Sequence, residues 1–507
     1  MTDPNNDDAP QRLASRGLSA LKWNYAGVAV RTVCQLAIGV VLARMLGPGP
    51  FGVVAVAWLV ISACNLIADF GLGAVLVQRP RLEPRDVHFV FSCQLGIGAA
   101  MTLIGLLLSD RIAAFFQLSQ QVLPIQAMFS LFLLQSLGQT SAALLRRALD
   151  FRYVQQVSIL SYLVGYLVFG IPLAGLGFGV WALVVANLVQ VLGCSVGYVL
   201  RTRRQLGWAL RPASDGTFSF GGKVVLANLS SWSIANLDSL AVGRVLGPVE
   251  LGLYNRAMTL VSSPMGAFVS GLQGVLFAAC SRAQDRPDLV RSAYLGATTA
   301  VGLVSMPLFC SIAAVAPTVV VGLYGEQWRA ATVPLTALAL AMPLMALLAL
   351  AGPVLMSMDR VSKEVKAQVI TIVVMAPLLY LAAHHSMNAV AWAMLAVYLL
   401  RWALLTRAVL RILGVPARRM LSALTLPVLL GSVSVAAVAA ADIGLRTLAY
   451  SASARLAVMP IVAGAAILIG LQLTGSALLK GELGQFLRAR GPIPSILARL
   501  LGVRGPR

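Results

Sequence analysis

The stretch from Asn228 to Tyr254, NLSSWSIANLDSLAVGRVLGPVELGLY, is long and apolar enough to cross a membrane as a helix, yet it holds Asp238 inside and breaks at Gly247-Pro248. The first apolar segment ends in nearly the same way. Arg44-Met45-Leu46-Gly47-Pro48, followed by Gly52, answers Arg244-Val245-Leu246-Gly247-Pro248, followed by Gly252, at a constant offset of 200 residues. A shared helix exit at one offset, deep in a hydrophobic chain, suggests two halves built on one plan.

Of the 507 residues, 59% are hydrophobic and 11% are charged, against about 25% charged in ordinary soluble domains. The chain is therefore read as an integral membrane protein. Its apolar runs are about twenty residues long, whereas barrel strands would alternate in segments of about ten, so an all-α polytopic fold is expected. The N-terminal MTDPNNDDAPQRLASRG is polar and lacks the apolar core of a signal peptide, and is expected to stay in the cytoplasm. The net charge of +21 is spread between hydrophobic segments. That is an orientation signal and not a nucleic-acid surface, so no nucleic-acid partner is expected. The six cysteines fall mostly inside spans without metal-ligand spacing, and neither a disulfide framework nor a metal site is expected.

Fourteen spans are expected, at about 22–44, 51–77, 88–108, 121–143, 154–176, 178–200, 221–246, 251–278, 291–315, 331–357, 365–383, 387–409, 420–440 and 454–475. With linkers assigned to alternate sides, one side together with both termini holds about 29 Lys and Arg and the other about six. The positive-inside rule then places both termini in the cytoplasm. No linker is long enough for a folded catalytic domain. After the last span, Leu478, Leu479, Leu483, Phe486 and Leu487 recur at helical spacing opposite Lys480 and Arg488, as in a helix lying on the inner leaflet or else a frayed basic tail.

A charge at the centre of a span costs about 2.5–3.5 kcal/mol on insertion scales, so each one asks for a reason. The candidates are Arg31, Asp69, Asp238 and Arg256, with Lys223 near an edge. Asn24, Arg31 and Gln35 share one face of span 1, and Ser62, Asn65 and Asp69 share one of span 2, with Arg31 and Asp69 at matched depth. Asn228, Ser231 and Asp238 line span 7, and Arg256, Thr259 and Ser263 line span 8. Two readings stay open: ion pairs that lock helices together, or a polar, cationic cavity between two halves. Gln126 and Ser130, Tyr162 and Tyr166, and Asn187 and Gln190 extend the polar faces through spans 4 to 6, while spans 11 to 14 are read as almost free of such residues.

Several motifs are set aside. Phe220-Gly221-Gly222-Lys223-Val224 misplaces the leading glycine of a phosphate loop and has Val224 where Ser or Thr should hold magnesium, so no nucleotide cofactor is expected. His88, His384 and His385 are the only histidines, and no Ser-His-Asp or paired-carboxylate centre is visible. The chain is not read as an enzyme.

The chain resembles the bacterial polysaccharide transporter family, the O-antigen and exopolysaccharide repeat-unit flippases, within the superfamily that also holds the lipid II flippase and the multidrug extruders. The likeness rests on Asp69-Phe70-Gly71-Leu72-Gly73, on Asn236-Leu237-Asp238 with Gly243 and Leu246-Gly247 through Gly252-Leu253-Tyr254, and on Leu323-Tyr324-Gly325-Glu326-Gln327-Trp328. It spans about 20–475.

This resemblance implies two six-helix lobes, 1–220 and 221–412, around a central cavity, with residues 413–507 adding spans 13 and 14 and the basic tail. It implies an inner-membrane flippase for undecaprenyl-pyrophosphate-linked oligosaccharide repeat units, working by alternating access. The alternatives are a drug or toxin extruder of the same superfamily, or a membrane polysaccharide polymerase or glycosyltransferase. Expected partners are the lipid-linked oligosaccharide, membrane lipids, a coupling proton or sodium ion, and polysaccharide polymerase and export machinery. The substrate-binding candidates are Arg31, Arg256, Lys223, Asn24, Gln35 and Asn228; Asp69 and Asp238 are candidates for ion coupling or ion pairing.

Overall fold

The computed structural model describes residues 8–68, 76, 79, 82–211, 221–282 and 286–480. All regular secondary structure among them is helical. In chain order the α-helices are α1 (Asp8–Leu46), α2 (Pro48–Ala68), α3 (Pro84–Phe115), α4 (Val122–Phe129), α5 (Leu131–Arg147), α6 (Phe151–Leu163), α7 (Ile171–Gly175), α8 (Val180–Thr202) and α9 (Gly221–Ala241). They continue as α10 (Pro248–Arg282), α11 (Pro287–Ala314), α12 (Ala316–Tyr324), α13 (Thr332–Leu348), α14 (Ala351–Ser357), α15 (Val361–His385), α16 (Met387–Leu413), α17 (Ala417–Thr447) and α18 (Ala452–Lys480).

Among the described residues, 12 helical segments are long and apolar enough to cross a bilayer. Helices α9 and α10 occupy the places of expected spans 7 and 8; parts of both lie outside the described residues, and they are not among the twelve. The fourteen-span count therefore stands as an expectation. Leu107, Leu160, Val373, Leu381, Ile461 and Leu473 are exposed. Such side chains suit a lipid solvent and would be a liability in water.

Two compact units divide the chain, Met1–Gly252 and Leu253–Arg507. In the first, α1 lies along α6, and α5 packs against both α3 and α8. The repeated exits adopt one geometry. Helix α1 ends at Leu46, Gly47 turns with φ 71°, and Pro48 opens α2; the π-helical stretch Val242–Leu246 ends, Gly247 turns with φ 92°, and Pro248 opens α10. Left-handed glycine ends a helix at little cost, and proline begins one where its missing N–H is not needed.

At the other end of this unit, Arg147 donates to the carbonyls of Leu76 and Arg79 at 2.8 and 2.6 Å, and Arg79 pairs with Asp86 at 3.1 Å. These basic residues fasten the connection before α3 to the end of α5.

In the second unit α11 packs against α17, α13 against α16, and α12 against α18. One sequence reading is corrected here. Helix α17 runs to Thr447, past the expected end of span 13 at 440, and brings in Asp442, which is only 3% exposed. The helix continues because the charge is neutralised: Arg446 lies 2.7 Å and Arg455 3.0 Å from the carboxylate, and the Thr318 hydroxyl donates to it at 2.7 Å. The last spans are therefore not free of internal charge, and Asp442 ties α17, α18 and α12 into one contact.

Candidate functional site

The sequence placed Asn24, Arg31 and Gln35 on one face of span 1, and the structure supplies what most of that face meets. Gln155 donates to the Asn24 side-chain oxygen at 2.9 Å, and Arg31 donates to the Ser158 hydroxyl at 3.1 Å. One turn earlier the Arg152 guanidinium sits 5.0 Å from the centre of the Trp23 ring. Gly27 makes this approach available, because a Cβ there would lie 2.5 Å from the Gln155 side chain.

Contacts 23 to 152, 24 to 155 and 31 to 158 advance together along both chains, so α1 and α6 run parallel. Parallel spans are separated by an even number of crossings, as spans 1 and 5 should be. Gln155 and Ser158, one helical turn apart near the polar start of their span, were not singled out from sequence.

Arg31 is half-buried, as are Asn24 and Gln35. Gln155 is buried, and its side-chain carbonyl oxygen accepts no hydrogen bond. A buried acceptor without a donor is costly, and such positions commonly serve a ligand or water. The strip thus offers a cation, several amide and hydroxyl groups, and one open acceptor. That combination fits an anion carrying hydroxyl groups better than an apolar cation.

Other candidates are placed as follows. Asp69, with the Phe70-Gly71-Leu72-Gly73 that follows it, lies outside the described residues, as do the side chains of Lys223 and Asn228. Ser62 accepts a hydrogen bond from the Trp232 indole at 2.9 Å, joining α2 to α9 through a tryptophan that sequence reading passed over. Asp238 is 1% exposed, and its carboxylate accepts from the Ser239 backbone N–H at 2.7 Å. The Tyr162 and Tyr166 rings stack with centroids 4.6 Å apart. Gln126 donates to Ser109 at 2.9 Å, and buried Asn187 donates to the Leu183 carbonyl, so these two serve helix packing.

In the second unit, the Arg256 guanidinium lies 5.3 Å from the Tyr324 ring centre, and Tyr324 in turn lies 5.6 Å from Trp328. Both aromatics are buried and flank Gly325, which turns with φ 96°. The Leu323–Trp328 motif therefore builds an aromatic support under Arg256. No group of three or more His, Cys, Asp or Glu able to hold a metal occurs among the described residues.

The fold is shared with the lipid II flippase MurJ in its inward closed conformation, which matches with a TM-score of 0.68 at 10% identity, over 89% of this chain and 99% of that one. The family described as polysaccharide biosynthesis protein matches residues 41–334, more than half the chain, and the chain belongs to that family. It is 25% identical over 358 residues to the teichuronic acid biosynthesis protein TuaB of Bacillus subtilis (strain 168), covering 68% of this chain and 71% of that protein. It is 28% identical over 320 residues to the succinoglycan biosynthesis transport protein ExoT of Rhizobium meliloti (strain 1021), covering 62% of each.

Proposed function

We propose that this protein is an inner-membrane flippase that carries an undecaprenyl-pyrophosphate-linked oligosaccharide repeat unit from the inner to the outer leaflet by alternating access. The observation that carries the reading is Arg31, half-buried within a span and set in a strip of amide and hydroxyl groups. A guanidinium offers paired donors matched to phosphate oxygens, and a partly desolvated setting strengthens them. Asn24, Gln35 and the open Gln155 acceptor suit sugar hydroxyls. The likeness to TuaB, a teichuronic acid biosynthesis protein, to ExoT, a succinoglycan biosynthesis transport protein, and to the lipid II flippase MurJ supports the substrate class.

In the same reading both termini are cytoplasmic, α9 and α10 complete fourteen spans, and the two lobes divide near residue 220. Arg256 is the second phosphate ligand, and Lys223 and Asn228 are further substrate ligands. Asp69 and Asp238 carry the coupling proton or sodium ion, and a polymerase with its export machinery receives the product.

The test is deletion of the gene in its host. Loss of surface polysaccharide, with lipid-linked repeat units accumulating in the inner membrane and rescue by the intact gene, is expected. Unchanged polysaccharide with increased drug sensitivity would reject the flippase and favour the extruder.

A further inference from the structure

We propose that the groove between the end of α16 and the start of α17 is a binding site for an anionic glycerophospholipid of the surrounding bilayer, separate from the transported substrate. The groove encloses about 720 Å³. Its walls are largely apolar, with Leu410 from α16 and Met420 and Leu421 from α17, and Leu421 is 64% exposed. Arg407 and Arg411 stand on its rim one helical turn apart, so both guanidinium groups lie on one face of α16.

Charge identifies the occupant. From Met387 to Ala441 the chain carries Arg401, Arg407, Arg411, Arg418 and Arg419 and no Asp or Glu. Neither Arg407 nor Arg411 has a carboxylate within ion-pair distance among the described residues. Several other basic side chains are answered: Arg79 by Asp86, Arg291 by Asp288 and by the Leu413 carbonyl, Arg446 and Arg455 by Asp442. Trp402 also lines the groove, and its indole N–H is buried without a hydrogen-bond partner.

An apolar slot at the end of a membrane helix, topped by two unanswered arginines, matches an acyl chain below and a phosphodiester above. The arginines sit near the end of a span, where it meets the headgroup layer. A resident phospholipid is present there at bilayer concentration. A polyprenyl pyrophosphate and a free phosphate share the anionic chemistry, and the experiment separates them.

The full-length protein, purified in detergent, is titrated with phosphatidylglycerol or phosphatidylcholine and lipid retention is read by native mass spectrometry. Wild type is expected to retain phosphatidylglycerol over phosphatidylcholine by about thirtyfold, the order expected for two arginines near a headgroup. The double variant Arg407→Gln with Arg411→Gln should lose that preference, while Arg203→Gln with Arg204→Gln, at exposed positions elsewhere, should keep it. Leu421→Trp, which narrows the slot and leaves the charges in place, should also lower retention and guards against a folding defect in the double variant. Equal retention of the two lipids by wild type, equal loss in both arginine double variants, or full retention in Leu421→Trp would overturn the proposal. So would displacement of the lipid by millimolar inorganic phosphate, or by undecaprenyl pyrophosphate at substoichiometric amounts.

Discussion

Gly52 and Gly252 pack reciprocally: a Cβ on Gly52 would overlap the carbonyl oxygen of Pro248, and a Cβ on Gly252 would overlap the carbonyl oxygen of Pro48. A Cβ on Gly252 would also stand 2.9 Å from the Gly52 backbone nitrogen. The two copies of the repeated exit therefore meet each other, each glycine receiving the proline that opens the other copy's helix. Backbone cannot yield to an added methyl as a flexible side chain can.

Gly52→Ala and Gly252→Ala are accordingly expected to lower stability by about 1–3 kcal/mol, the usual range for overpacking. Gly49→Ala is the control, because a Cβ there meets nothing within 4 Å. Thermal unfolding in detergent checks this. Equal melting temperatures for Gly49→Ala and Gly52→Ala would show that the close approach is not needed.

The Asp442 contact gives a second expectation. Removing one partner of a buried ion pair commonly costs about 3–5 kcal/mol, because the remaining charge stays buried. Asp442→Ala leaves Arg455 with a side chain only 14% exposed, whereas Arg446 is 48% exposed and can turn to solvent or headgroups. Arg455→Gln should therefore destabilise more than Arg446→Gln, with Asp442→Ala the most damaging of the three. Thermal melting of the purified variants gives the ranking, and a larger loss from Arg446→Gln would reverse this account.

Much of the fold was legible in the sequence, for a physical reason. A span must be about twenty residues long and apolar, so composition and length alone locate helices, and the Gly-Pro exits mark where they end. Helix ends are harder to read. Span 13 was expected to end at 440, two residues short of Asp442. Only tertiary structure shows Arg455 and Thr318 arriving from neighbouring helices to neutralise it. The site was legible on one side only: Arg31 and Asn24 stood out as polar residues inside a span, but their partners Gln155 and Ser158 sit near the polar start of theirs. No sequence periodicity says which helix lies alongside.

Transport offers a third expectation. Arg256→Ala should abolish surface polysaccharide export while the folded protein remains in the membrane, and Arg256→Lys should partly restore it, since lysine keeps the charge but not the paired donors. Export and membrane abundance are measured together. Full export in Arg256→Ala would remove it from substrate recognition.

Energy input gives a fourth. One charge moved through the membrane potential is worth about 2.3 kcal/mol per 100 mV, enough to bias states a few kcal/mol apart. If buried Asp238 carries the coupling ion, Asp238→Asn should blunt the response of flipping to an imposed proton or sodium gradient, as should Asp69→Asn. A wild-type response to every gradient in both variants would leave the potential, acting on the substrate's own charge, as the driving force.

The central claim is tested most directly with purified protein in proteoliposomes that carry a fluorescent undecaprenyl-pyrophosphate-linked oligosaccharide, by following its accessibility to a membrane-impermeant quencher. Wild type should equilibrate the lipid between leaflets, Arg31→Ala should stay at the rate of protein-free vesicles, and Arg31→Lys should fall between. Equal flipping by wild type and Arg31→Ala, or no flipping by wild type under any imposed gradient, would contradict the account.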